Sequence, residues 1–414
     1  MSSRSSADAG GPLRVALLGS TGSIGRQAVD VLAADPSFRV VALATGSRAD
    51  VLAEQAERLR PAVVAIANDE SRQALVALGL PPGTDVLGGE DALLELATRP
   101  DVDIVLVGTD GVVSLRPVIA ALDAGKIVAT ANKETLVAGG HLVMPRARAR
   151  ADERRAIDPS DPLASSFGWL RPIDSEHSAI WQCLVGEDLA QVERLILTAS
   201  GGPFLDTPVD AFAAITPEQA LRHPTWRMGA KVTIDSATLA NKGLEVIEAR
   251  WLYDVPYEQI DVVIHPQSVV HSAVQFVDGS LKAQLGTPDM RLPIQYALTH
   301  PARRPSPATP ADLVATARLD FRAPDEARFP ALRIAREAGR LGPRATTALI
   351  AADDVAVARF LDGRLDFIGI PAMLEAAVAR FGTAGGLDPD LDEVLALDAE
   401  VRANLASVPS GARA

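Results

Sequence analysis

Leu13-Arg-Val-Ala-Leu-Leu18, followed at once by Gly19-Ser-Thr-Gly22-Ser-Ile-Gly25 and then Arg26-Gln-Ala-Val-Asp-Val-Leu-Ala-Ala34, decides the fold of this chain. A β-prone run, a turn with glycine at every third position and an Ala/Val/Leu-rich helical stretch make the opening of a nucleotide-binding βα unit. The glycines let the backbone approach a pyrophosphate, and the helix N-terminus adds partial positive charge. The spacing is G-x-x-G-x-x-G and not G-x-G-x-x-G, so a tight βα turn that needs φ > 0 is the competing reading. Further β-rich runs at 38–44, 62–67, 102–107 and 126–130 alternate with helical stretches at 27–34, 51–59 and 118–124. That rhythm predicts an α/β fold that opens on a Rossmann-like, doubly wound parallel sheet.

Where the second strand ends, an acid would bind the ribose of NAD, but here the residues are Gly46-Ser47-Arg48. A hydroxyl and a guanidinium suit a 2′-phosphate, which favours NADP over NAD. Asp50 competes for that role but reads as a helix-start residue. Asn132-Lys133-Glu134 follows the strand 126–130, where open α/β sheets place ligand contacts.

The chain has 414 residues, 48% of them apolar and 22% charged. At about 150 residues per domain this gives two or three domains, each able to bury a core without disulfide or metal staples. A net charge of −13 argues against nucleic acid or an anionic membrane surface as partner. The single cysteine, Cys183, excludes a disulfide framework and a cysteine-based zinc site and fits a reducing compartment. No apolar run approaches the ~18–20 residues that span a bilayer. Residues 1–12 read as a short disordered lead, and the protein reads as cytoplasmic.

Five segments are expected: the lead 1–12, a nucleotide-binding domain 13–170, a central α+β catalytic domain 171–309 with a flap, a linker 310–325 and a small helical domain 326–414. The rhythm breaks at 145–168, where arginines interleave with acids. This predicts a solvated helix face running into an inserted loop. One helix is expected near 237–253, a hairpin turn at Val277-Asp-Gly-Ser280, and a linker approach in the proline cluster 293–310.

Three clusters carry chemistry. In Pro172-Ile-Asp174-Ser-Glu176-His177, read as a strand, Asp174 and Glu176 share one face and Ser175 and His177 the other. Two like charges side by side call for a cation, and oxygen donors favour a hard divalent ion. In Asp235-Ser-Ala-Thr-Leu-Ala-Asn241-Lys242-Gly-Leu-Glu245-Val-Ile-Glu248, read as one helix, Asn241, Glu245 and Glu248 line up with Lys242 on their flank. They read either as a salt-bridged surface or as a pocket wall that completes a metal site. Ser236, placed near the helix start, adds a hydroxyl for an anion. Thr198-Ala-Ser200-Gly201-Gly202-Pro203 repeats the strand-end serine and bare backbone. Arg222-His223-Pro-Thr-Trp226-Arg-Met228-Gly229 reads as a loop whose Trp is either a satellite-core anchor or part of a lid.

Together these motifs, with Ala131-Asn-Lys-Glu134 and His265-Pro-Gln-Ser-Val-Val-His271 in the same order, closely resemble the 1-deoxy-D-xylulose 5-phosphate reductoisomerase family of the non-mevalonate isoprenoid pathway. The resemblance runs from about 13 to 370. It implies that Asp174, Glu176 and Glu245 hold Mg²⁺ or Mn²⁺, with Co²⁺ a third option. It implies that Ser200, Ser236, Asn241 and Lys242 hold the substrate phosphate, that Lys133, Ser175 and His223 touch the substrate, and that Trp226 and Met228 lie on a closing flap. Thr21, Gly22, Ser23, Ile24, Gly46, Ser47, Arg48, Asn132, Glu134 and Gly229 fall at NADPH positions. Lys133, Glu176, His223 and Glu245 are the implied catalytic set. The implied reaction is rearrangement of a phosphorylated sugar followed by NADPH reduction to 2-C-methyl-D-erythritol 4-phosphate, and the implied assembly is a homodimer. Arg48 replaces a usual Asn, and Ala352-Asp353-Asp354 stands where Asn-Glu is usual.

Two other readings compete. An NADP-dependent dehydrogenase of the aspartate-semialdehyde type needs a nucleophilic cysteine, yet Cys183 lies in apolar Ala-Ile-Trp-Gln-Cys-Leu. A non-catalytic NADPH-sensing module needs no metal.

Overall fold

The structure is a computed structural model that describes residues 11–89, 91–383 and 388–407. Of the expected lead, residues 1–10 lie outside these. Contacts group the chain into two compact units: Met1–Thr135, Val143–Ser178 and Asp289–Thr309 form the first, and Leu136–Leu142, Ala179–Pro288 and Pro310–Ala414 the second.

The first unit holds a seven-stranded sheet of β1 (Leu13–Leu18), β2 (Phe38–Thr45), β3 (Val63–Ile66), β4 (Asp85–Gly88), β5 (Ile104–Val107), β6 (Ile127–Thr130) and β7 (Leu170–Pro172). The order is β4-β3-β2-β1-β5-β6-β7, and every pair is parallel. β3 and β5 are buried along their whole length, as a sheet covered on both faces requires. β1 lies between β2 and β5, so the turn after it opens at the switch point where such sheets take ligands. β4 escapes the sequence reading because it is not an unbroken buried apolar run, Asp85 and Gly88 being exposed, and β7 because it is only three residues long.

The stretch from 145 is a helix face running into a loop, as expected: the helix ends at Arg155 and turns follow. The helix Lys133–Arg155 runs straight through Pro145. Val143, Met144, Ala147 and Ala151 are buried, and this continuous apolar stripe offsets the roughly 3 kcal/mol that a mid-helix proline costs. The arginines of this stretch are neutralised locally, Arg146 by Asp123, Arg154 by Asp161 and Arg155 by Asp152.

The segment expected to close the catalytic domain groups instead with the nucleotide-binding sheet. Its helix Arg291–Thr299 contains Pro293. The buried Arg171 guanidinium donates to the Ala297 carbonyl at 2.8 Å, and Arg304 pairs with Asp35 at 3.1 Å.

The second unit holds a four-stranded sheet of β8 (Val192–Ala199), β9 (Ile260–Ile264), β10 (Val270–Phe276) and β11 (Leu281–Leu285), in the order β11-β10-β8-β9. β10 and β11 form the expected hairpin across Val277-Asp-Gly-Ser280. The helices Ala331–Leu341, Pro343–Leu361, Gly369–Phe381 and Leu391–Ala406 group with this sheet and do not form a separate unit.

The single helix expected near 237–253 is two, Ala230–Thr238 and Ala240–Tyr253. Leu239 between them is left-handed at φ +62°, and its side chain is 3% exposed. Burying it offsets the 1–2 kcal/mol that this conformation costs. No Gly, Asn or Pro marks the break.

Candidate active site

In the first unit the nucleotide loop is dictated by packing. A Cβ on Gly25 would lie 2.2 Å from the Gly19 carbonyl oxygen, so only glycine lets the helix Ser23–Ala34 start this close to β1. Gly22 is its N-cap and supplies no side-chain acceptor, which leaves the first-turn N–H groups to an anion. Gly22, Ser23, Gly46, Ser47 and Arg48 are exposed and Ile24 is half-buried, whereas Thr21 is buried and its hydroxyl is bonded to that of Thr45. Arg48 reaches Asp50 only loosely, at 3.6 Å.

Asn132 is fully engaged within the fold. Its Oδ1 accepts from the Thr135 amide at 2.7 Å, and its Nδ2 donates to the carbonyls of Thr109 and Gly111. It therefore holds the loop after β5, and its side chain has no donor left for a ligand. Glu134 is buried.

The acidic pair is not on a strand, contrary to expectation. β7 ends at Pro172, and Ser175 begins the helix Ser175–Leu184. Asp174 precedes that helix, and its Oδ1 accepts from the Glu176 amide at 3.2 Å. Asp174 and Glu176 are half-buried and His177 is fully buried, so the alternating faces of a strand do not apply. The Ser175 hydroxyl donates to Glu176 at 2.5 Å, and the half-buried Lys133, first residue of its helix, forms an ion pair with Asp174.

The second unit carries the rest. Ser236 lies in the last turn of Ala230–Thr238 and not near a helix start, so helix N-terminal charge does not act on it there. The nearest N-terminus along the chain belongs to Ala240–Tyr253, where Leu239 offers no side-chain cap and the first turn carries Asn241 and Lys242. Glu245 is 0% exposed. Its carboxylate accepts from Asn241 Nδ2 at 2.7 Å and pairs with Lys242. Lys242 and Glu248 are also buried, so of the two readings left open the salt-bridged surface is excluded. Two buried opposite charges are retained together because removing either strands the other, at about 3–5 kcal/mol.

Ser200 and His223 define each other. His223 Nδ1 accepts from the amides of Thr225 (3.1 Å) and Trp226 (2.9 Å), which fixes the neutral ring's proton on Nε2. That nitrogen lies 2.9 Å from Ser200 Oγ and so donates to it. Oγ also accepts from the Gly202 amide at 3.2 Å. With both lone pairs used, the Ser200 hydroxyl can only donate onward, which suits an anionic oxygen. Burial pushes the His223 ring down to about 4. Because the folded state prefers the neutral ring, this preference supports stability fully above the ordinary value near 6.5 and is lost as pH falls from there towards 4. The ¹⁵N shifts of His223 are expected to titrate near pH 4, and a midpoint at 6.5 would exclude the donor arrangement.

Trp226 is half-buried, its ring 5.9 Å from that of buried His271. Met228 is half-buried and Gly229 exposed, both in a segment without regular structure. The sequence assigns His271 no definite role, although it stands three residues beyond a Pro-Gln-Ser turn in an apolar strand. Cys183 is buried, and burial pushes its thiol up to about 11, which removes the nucleophile that the semialdehyde-dehydrogenase reading needs.

Family models described as 1-deoxy-D-xylulose 5-phosphate reductoisomerase and its C-terminal domain match residues 15–140, 170–253 and 285–404. A reductoisomerase of that name from Pelotomaculum thermopropionicum is 47% identical over 386 residues, 93% of this chain and 95% of the relative. One from Anaeromyxobacter is 51% identical over 86% of this chain and 87% of its own length. Among solved structures, the Zymomonas mobilis enzyme in complex with NADPH is 37% identical, covers 96% of this chain and 100% of its own, and superposes with a TM-score of 0.83. A DOX-P reductoisomerase with NADPH, fosmidomycin and magnesium is 36% identical over 95% of this chain and 98% of its own, with a TM-score of 0.85.

Proposed function

Because the chain belongs to the 1-deoxy-D-xylulose 5-phosphate reductoisomerase family, we propose that it converts 1-deoxy-D-xylulose 5-phosphate into 2-C-methyl-D-erythritol 4-phosphate with NADPH and a divalent cation. The observation that carries this reading is the acid set. Asp174, Glu176 and Glu245 are a group among the described residues able to hold a metal ion. Their donors are carboxylate oxygens, which fit a hard ion such as Mg²⁺, with Mn²⁺ as a second choice. The ammonium groups of Lys133 and Lys242, on Asp174 and Glu245, lie where acids demand positive charge.

The chemistry supplied by the bound groups is polarisation of the substrate ketone and its neighbouring hydroxyl by the cation and reduction by NADPH. The chain's own residues bind and orient. The Ser200 hydroxyl, aimed outward by His223, donates to the phosphate together with Ser236, Asn241 and Lys242. Lys133 and Ser175 lie against the acids and contact the substrate's polar end. Trp226 and Met228 close over it and exclude water. Binding the remote phosphate supplies the energy for that closure. Thr21, Gly22, Ser23, Ile24, Gly46, Ser47, Arg48 and Glu134 surround NADPH, and Asn132 serves it by holding the loop after β5.

Chelation is the direct test. EDTA is expected to abolish NADPH consumption with this substrate, and Mg²⁺ or Mn²⁺ to restore it. Turnover unchanged in chelator would exclude the reading and favour a sensing module. Arg48→Ala is expected to raise KM for NADPH about tenfold, the loss of one charge-assisted contact worth about 1.4 kcal/mol. NADH kinetics should stay flat, and equal losses with both nucleotides would remove Arg48 from the 2′-phosphate.

We also place the enzyme in the cytoplasm as a homodimer. No helix among the described residues is long and apolar enough to cross a membrane. The sheet edge β11 exposes Leu281 and Leu285 beside Val277, an apolar edge of the kind proteins cover. Light scattering should give twice the 43.5 kDa chain mass.

A further inference from the structure

Lys231 lies in the first turn of Ala230–Thr238, and its Nζ donates to Asp235 at 2.8 Å and to Asp353 at 2.6 Å. Asp354 lies 3.4 Å from the same nitrogen and is bound by Arg402, which also holds Asp398 at 2.7 Å. Three helices thus meet on this cluster: Ala230–Thr238, Pro343–Leu361 and Leu391–Ala406. Asp235 and Asp353 are 2% and 1% exposed. The second oxygen of each is buried with no hydrogen-bond donor.

Four carboxylates on two cations leave the cluster short of positive charge. Two buried carboxylates against a single ammonium cannot both stay ionised. Burial, reinforced by the charges of Asp353 and Asp354, holds Asp235 well above the usual carboxylate range, and burial with the charge of Asp354 raises Asp353. A proton between them gives the otherwise donorless oxygens a hydrogen bond.

Asp235 is next in sequence to Ser236. On a helix, neighbours point about 100° apart, so fixing the buried Asp235 side fixes the direction of Ser236. The backbone around Ser236 is in turn pressed against the serine-glycine loop, since a Cβ on Gly202 would lie 2.7 Å from the Ser236 carbonyl oxygen. We propose that Lys231, Asp235 and Asp353 form a positioning clamp, in which one ammonium bridging an acid–carboxylate pair sets the rotation of Ala230–Thr238 and aims the Ser236 hydroxyl at the substrate phosphate. The proposal rests on the reading above that Ser236 takes the phosphate.

The test uses full-length Ser236→Ala, Asp353→Ala, Lys231→Met and Asp353→Asn with NADPH and Mg²⁺. It reads KM for the sugar phosphate, the inhibition constant of inorganic phosphate, kcat and thermal stability. Ser236→Ala, Asp353→Ala and Lys231→Met are each expected to raise KM and the phosphate inhibition constant at least tenfold, with any fall in kcat accompanying that rise. Asp353→Asn is expected to stay within threefold on every constant, because an amide donates one hydrogen bond to Asp235 and leaves the cluster charge as it is with a shared proton. If Ser236→Ala alone leaves both constants unchanged, the phosphate role of Ser236 falls, and the clamp with it. If Ser236→Ala raises them while Asp353→Ala and Lys231→Met do not, the clamp alone is overturned. Loss of kcat without movement of the phosphate constant, or failure of both clamp variants to fold, makes the cluster structural and likewise overturns it.

Discussion

Glu245→Gln collapses turnover by about a thousandfold or more while NADPH still binds. The substitution keeps volume and the acceptor for Asn241 Nδ2 but removes the only full negative charge that helix Ala240–Tyr253 gives to the proposed cation. Losing about 4 kcal/mol of charge stabilisation in a buried place corresponds to three powers of ten in rate. Glu245 is 0% exposed, so water cannot take over its role. The nucleotide turn is made by residues 19–25 and 46–48 and does not depend on it. Fluorescence titration of NADPH together with steady-state rates separates the two effects. Wild-type turnover in this variant would remove Glu245 from the site, whereas lost NADPH binding would mean the fold had failed.

The second large effect is expected at Gly202. Its φ is +68°, and a Cβ there would meet the Ser236 carbonyl oxygen at 2.7 Å and Ala237 Cα at 2.9 Å, both backbone atoms that cannot swing aside. Strain and overlap together cost about 2–4 kcal/mol. They also push the Ser200 loop away from Ser236, so Gly202→Ala should lose thermal stability and raise KM for the sugar phosphate tenfold or more. Gly279→Ala is the control: its φ is +83° with open space around the added carbon, so it carries the conformational strain alone. Equal behaviour of the two variants would show that close approach does not matter at Gly202.

The nucleotide-binding half was readable because its signals are local. A glycine at every third position after an apolar run admits few structures, and the fully buried strands are unbroken apolar runs. Of the edge strands, β4 escapes because Asp85-Val-Leu-Gly88 is exposed at both ends and not an unbroken apolar run, and β7 because three residues have no period to detect. The acidic pair was misplaced on a strand because Pro172-Ile-Asp174-Ser-Glu176 is too short to distinguish period 2 from the start of a helix. The break at Leu239 leaves no trace in composition, since burial of that leucine and not its intrinsic preference holds it left-handed.

The residue types by themselves suggest donors without fixing a reaction: carboxylates without thiols, serines beside glycines, and an arginine where a ribose acid would stand. Their combination and order resemble one family, and that resemblance implies the chemistry. Those are properties of single side chains and of short spacings, and a linear sequence carries them. Which acid is buried against which lysine, which nitrogen of His223 holds the proton, and that Lys231 gathers Asp235 with Asp353, 118 positions further along the chain, depend on packing between distant segments. Burial and long-range contact set those charges and protons, and only the folded chain decides them.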